Sequence, residues 1–93
     1  MKILTVCGNG IGSSLMLAMK LEEMCKEEGI EGVSVESSDF NSAQSKDVDL
    51  IVTVKEIAEQ FPENREIAII RSYTNKKKIR EDVLEKIKEL IKQ

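Results

Sequence analysis

Apolar residues recur along this chain with two alternating periods, and the alternation predicts the fold. Residues 2–6, with Ile3, Leu4 and Val6, form a short apolar run that reads as a first strand. Residues 7–12 are glycine-rich and read as a loop. From Ser13 to Glu28 the period becomes helical, placing Leu17, Ala18, Leu21, Met24 and Cys25 on one face. Gly29 then stands where a helix C-terminus takes glycine. Residues 33–37 alternate as a second strand, and residues 40–46 form a short helical or irregular crossover. Residues 48–52 read as a third strand. Thr53 and Glu56 match the capping box S/T-x-x-E, which predicts a short helix to Gln60, closed by Pro62. Residues 66–70 give a fourth strand. A last helix runs from Asn75 to Ile91, with Ile79, Val83, Ile87 and Leu90 on its apolar stripe.

Strand and helix therefore alternate throughout. That order predicts an α/β fold: a four-stranded parallel sheet with helices on both faces and a phosphate-binding loop after the first strand. Ligands of such sheets sit beyond the carboxyl ends of the strands at the switch point, and the first strand is expected at the centre.

Composition narrows the functions. The 93 residues read as a single domain, 1–93, able to bury one modest core. A net charge of -3 and only three aromatic side chains, two Phe and one Tyr, leave no footprint for nucleic acid. No stretch approaches the roughly 20 apolar residues of a membrane span. The amino terminus runs from a strand into glycines without a signal-peptide pattern, so a cytoplasmic location is expected. Cys7 and Cys25 form neither a CxxC pair nor a zinc pattern, and in a reducing compartment both are expected as thiols. No metal and no cofactor are expected. The chain has no histidine, so it cannot be a phosphohistidine carrier or run Cys-His or Ser-His-Asp catalysis.

The loop Cys7, Gly8, Asn9, Gly10, Ile11, Gly12, Ser13, Ser14 carries the chemistry. Its three glycines permit positive φ and close approach of backbone to a ligand. Successive amides can form an anion nest, and the next helix adds its unpaired N–H groups and positive dipole end. Ser13 and Ser14 add hydroxyl donors. This setting favours the thiolate of Cys7, and the same donors suit a phosphoryl group on its sulfur. Rival loops fit less well. A dinucleotide fingerprint needs glycine where Ser13 stands, and a Walker A loop needs a lysine that is missing. A cysteine phosphatase loop, C-x5-R, needs arginine at that same position 13. Without that arginine hydrolysis is disfavoured, which suits a carrier that must protect a phosphocysteine from water. A low-molecular-weight cysteine phosphatase or a regulatory thiol module remains the alternative.

The segment from Cys7 to Met16 resembles the active loop of the IIB subunits of the bacterial sugar phosphotransferase system, and is most similar to the ascorbate-type branch. Galactitol-type and lactose-type IIB proteins stay open as relatives. The likeness extends over the whole chain through its length, its strand–loop–helix start, the strand Asp49 to Thr53 and the terminal helix. It implies that Cys7 accepts phosphate from a phosphohistidine on a IIA protein. It further implies delivery to a sugar, ascorbate-like by this branch, held by a membrane IIC transporter.

Other residues read more plainly. Cys25 belongs to the core stripe. Thr53 reads as a helix cap that also ends the strand beside the first. Arg71, with Ser72, follows the fourth strand and reads as solvated, as do Lys76, Lys77 and Lys78. Steps of 100° place Met16 and Met19 opposite the core face of the first helix, beside Ile11 at the loop tip. Exposed methionines suit a surface that must fit two partners in turn, so Ile11, Met16 and Met19 are the expected docking residues.

Overall fold

The computed structural model describes residues 1–8 and 12–92. Four strands, β1 (Lys2–Cys7), β2 (Ser34–Asp39), β3 (Leu50–Thr53) and β4 (Ile67–Ile69), form one sheet in the order β2-β1-β3-β4. Every neighbouring pair is parallel. Four helices alternate with them: α1 (Gly12–Glu27), α2 (Phe40–Ala43), α3 (Lys55–Ala58) and α4 (Lys76–Ile91).

Side-chain alternation along β1 feeds two cores. Ile3 packs with Leu50, Val52 and Ala68 against Leu17, Leu21 and Met24 of α1 and Ile79, Val83 and Ile87 of α4. Leu4 and Val6 point the other way and pack with Ile51 against Ala43 of α2, Ile57 of α3 and Phe61. The helices thus cover both faces, as the burial of a parallel sheet on both sides requires. Cys25 lies in the first core, and burial pushes its thiol above the ordinary range, with Glu22 adding to the shift.

Local signals explain the ends of the elements. Gly29 adopts φ +68°, Ile30 N–H donates to the Cys25 carbonyl and Gly29 N–H to that of Lys26, which together make the Schellman stop of α1. Asn75 caps α4 by accepting from the Lys78 amide at 3.1 Å. Asp39 caps α2 by accepting from the Ser42 amide at 2.7 Å, which holds its carboxyl below the ordinary range.

One local expectation fails. Thr53 does not cap α3. Strand β3 runs one residue further than its apolar pattern suggests, pairing Thr53 with Ile69, so the cap position falls to Val54, which makes no side-chain bond. Two other surface readings also change. Arg71 is exposed but forks onto Asp82 and pairs with Glu81 at 3.0 Å. Lys76 bridges Glu23 and Glu27 of α1 at 2.7 and 2.8 Å, while Lys77 and Lys78 are the solvated pair. Among the described residues, no helix is long and apolar enough to cross a membrane.

Candidate functional site

Strand β1 is flanked by β2 on one side and β3 on the other. Helix α1, which follows β1, packs on one face of the sheet, and α3, which follows β3, packs on the other. Adjacent strands whose following helices lie on opposite faces mark the switch point at the carboxyl edge, where parallel sheets bind ligands. A cleft of about 320 Å³ lies there, lined by Cys7, Gly8 and Ser13 from the first loop, Val54, Glu56 and Ile57 after β3, and Tyr73 after β4.

Cys7 is the last residue of β1, is only 4% exposed and lines this cleft. Its backbone is fixed on both sides, in register with Asp39 of β2 and tied to β3 through the preceding peptide. The Val6 carbonyl accepts the Thr53 hydroxyl at 2.8 Å and the Tyr73 hydroxyl at 3.0 Å. Thr53 is fully buried. Burial raises the Tyr73 phenol above its ordinary range, and nearby Cys7 adds to the rise while the adjacent Thr53 hydroxyl and Val54 backbone lower it, so the phenol remains a proton donor at neutral pH.

The first turn of α1 is anchored to the same strand. Thr5, fully buried in β1, donates from its hydroxyl to the Ser14 carbonyl at 2.6 Å and more weakly to the Glu36 carbonyl at 3.3 Å. Helix α1 is therefore held with its amino terminus at the end of β1, on the side of the cleft that Ser13 lines.

Of the loop residues singled out in the sequence, Cys7, Gly8 and Ser13 come together in the cleft. Gly12 opens α1, one residue earlier than its periodicity suggests. Ser14 is buried inside the first turn. Asn9, Gly10 and Ile11 lie outside the described residues. The positive φ that glycine permits is not used at Gly8 or Gly12; among the described residues it occurs only at Gly29 and Gly32. At Gly8 an added Cβ would meet Ile57 Cδ1 at 3.5 Å, an ordinary contact, and at Gly12 it would meet nothing within 4 Å. Gly12 already has helical backbone, which explains why it needs no left-handed conformation.

Met16 and Met19 are 47% and 63% exposed, and with Lys20 and Glu23 they border a shallow depression on α1. Leu15, 50% exposed, extends the apolar strip and was not singled out by the helical steps. Tyr73 was also missed. The signal was available: it is the one tyrosine of the chain, three positions past Ile70, at the strand edge that carries the Cys7 loop.

Comparison with known families identifies the family of the chain. The family model described as PTS system, Lactose/Cellobiose specific IIB subunit, matches residues 2–93. It supports a IIB subunit but not the ascorbate-type branch expected from the loop. No curated protein matches significantly.

Proposed function

The chain belongs to the lactose/cellobiose-specific IIB family of the phosphotransferase system, and on that premise we propose that Cys7 is the residue that carries the phosphoryl group. The observation that supports it most is the position of Cys7. It ends the central strand and lines the carboxyl-edge cleft beside the amino terminus of α1. Helix amino termini favour anions, and Gly8, Ser13 and the neighbouring loop amides from Asn9 to Gly12 would hold the phosphoryl oxygens there, with Ser14 fixing the first turn behind them.

The transfer is a nucleophilic exchange in two steps. The Cys7 thiolate attacks the phosphorus of a phosphohistidine on a IIA partner; the P–N bond breaks, the S–P bond forms and the imidazole nitrogen takes up a proton. A hydroxyl of a sugar bound by a membrane IIC transporter then attacks phosphorus, the S–P bond breaks and the thiolate is restored as the hydroxyl proton is released. With no histidine in the chain, the nucleophile must be one that ionises without a histidine base, which a thiol can be and a serine cannot. The sugar is assigned to the lactose or cellobiose type named by the family, and the site of action to the cytoplasmic side of the membrane.

Intact mass tests the assignment. Incubation with a phosphorylated IIA protein should add about 80 Da, one phosphoryl group. Cys7→Ser should add none, and Cys25→Ala should still be labelled. Rapid turnover of an aryl phosphate without any partner would instead identify a cysteine phosphatase.

A further inference from the structure

We infer that Tyr73 is a positioning residue for Cys7, acting with Thr53 through the Val6 carbonyl. A carbonyl oxygen has two lone pairs, and both are taken here by side-chain hydroxyls from different strand ends. The peptide they grip is the one whose nitrogen belongs to Cys7. In a parallel sheet this peptide would ordinarily be held by backbone ladders. The β1–β3 register ends one residue earlier, at the Thr5–Val52 pair. The β2 ladder continues through the Cys7–Asp39 pair, so side chains take over only on the β3 side, next to the nucleophile.

The segment that brings Tyr73 there is itself braced on both sides. Arg71 donates from its backbone amide and its guanidinium to Asp82 of α4. The Ser72 hydroxyl accepts from the amides of Thr74 and Asn75, and Asn75 caps α4. Tyr73 also packs against the α1–α4 core while lining the cleft with Cys7. The phenol is thus delivered 67 positions along the chain to one carbonyl by an arrangement that leaves it little freedom.

The inference rests on Cys7 as the phosphoryl acceptor, and its consequence is that the hydroxyls, not merely the ring, set the placement of the sulfur. Tyr73→Phe keeps the ring and removes one donor. Thr53→Val removes the other at nearly constant shape, and Thr53→Ser restores it. The test follows the Val6 carbonyl carbon and Cys7 amide nitrogen by NMR, the alkylation rate of Cys7, and phosphoryl transfer from phosphorylated IIA. Tyr73→Phe and Thr53→Val should each shift both resonances. Each should speed alkylation of the buried thiol roughly fivefold, the weight of about one hydrogen bond. Each should lower kcat for transfer and leave KM for IIA unchanged, while Thr53→Ser stays near wild type. Unchanged resonances and alkylation in Tyr73→Phe would overturn the inference. So would a change in KM alone, or an equal rise in alkylation in Val83→Ala, a remote variant that only destabilises the core. Phosphorylation surviving in Cys7→Ser would instead refute the carrier assignment, since resonances and alkylation judge Tyr73 without any partner.

Discussion

Thr5→Val should destabilise this protein far more than its conservative shape suggests. Thr5 is fully buried in the central strand, and its hydroxyl makes the short bond of 2.6 Å to the Ser14 carbonyl. Valine replaces that hydroxyl by a methyl group of nearly the same volume, so no cavity opens. What is lost is one well-formed buried hydrogen bond, one weaker bond to the Glu36 carbonyl, and the tie between β1 and the first turn of α1. The Ser14 carbonyl keeps its place in the helical ladder, so it is not wholly orphaned. The expected cost is about 1–2 kcal/mol. For a domain of this size each kcal/mol shifts the midpoint by about 4–8 °C, so Tm should fall by about 5–15 °C. Thermal unfolding followed by far-UV circular dichroism measures this directly, with Thr5→Ser as the control that keeps the hydroxyl. A Thr5→Val midpoint within about 2 °C of wild type would show that the bond contributes nothing net, and that packing alone holds α1 on the sheet.

Gly12→Ala should fold and be as stable as wild type or slightly more so, because the added Cβ meets nothing within 4 Å and alanine favours helix; a clear drop in Tm would refute the open geometry at the start of α1. Cys25 should resist alkylation in the native protein at neutral pH, since burial and Glu22 raise its thiol, and react only on unfolding; rapid native labelling would contradict its core position. The Asp39 carboxyl is held below its ordinary range by the Ser42 amide, so its stabilising effect is complete above the unfolded value of about 3.9 and is lost as pH falls through the lower folded value. Asp39→Asn keeps a capping side chain without the charge, so it should show a shallower loss of Tm on acidification than wild type. Met16→Glu and Met19→Glu change exposed positions only, so they should leave Tm intact and slow phosphoryl transfer at limiting IIA; unchanged rates in both would remove α1 from the docking surface.

Much of this architecture is legible in the linear chain because its causes are local. Hydrophobic period separates strands from helices, so β1, α1 and α4 appear within a residue or two of their observed ends. Gly29 and Asn75 act on backbone within a few positions of themselves and need no distant partner. The Cys7 loop stands out for the same reason: glycines and serines directly after an apolar strand and before a helix form a local pattern. Leu15 shows where the pattern blurs, since an apolar residue one step from the core face can still be half exposed.

What the linear order could not supply is which strand ends become neighbours. The Thr53–Glu56 spacing looks like a capping box, yet pairing with β4 extends β3 through Thr53 and turns its hydroxyl toward Val6. Tyr73 carries no motif at all, and its role beside Cys7 exists only because β1 and β3 are adjacent and β4 follows β3 in the sheet. Arg71 and Lys76 look like solvent-facing cations until α4 and α1 supply carboxylates from other turns. Periodicity and turn chemistry are properties of neighbouring residues. A hydrogen bond between Val6 and Tyr73 depends on the relative placement of three strands, and packing of the whole sheet sets that placement.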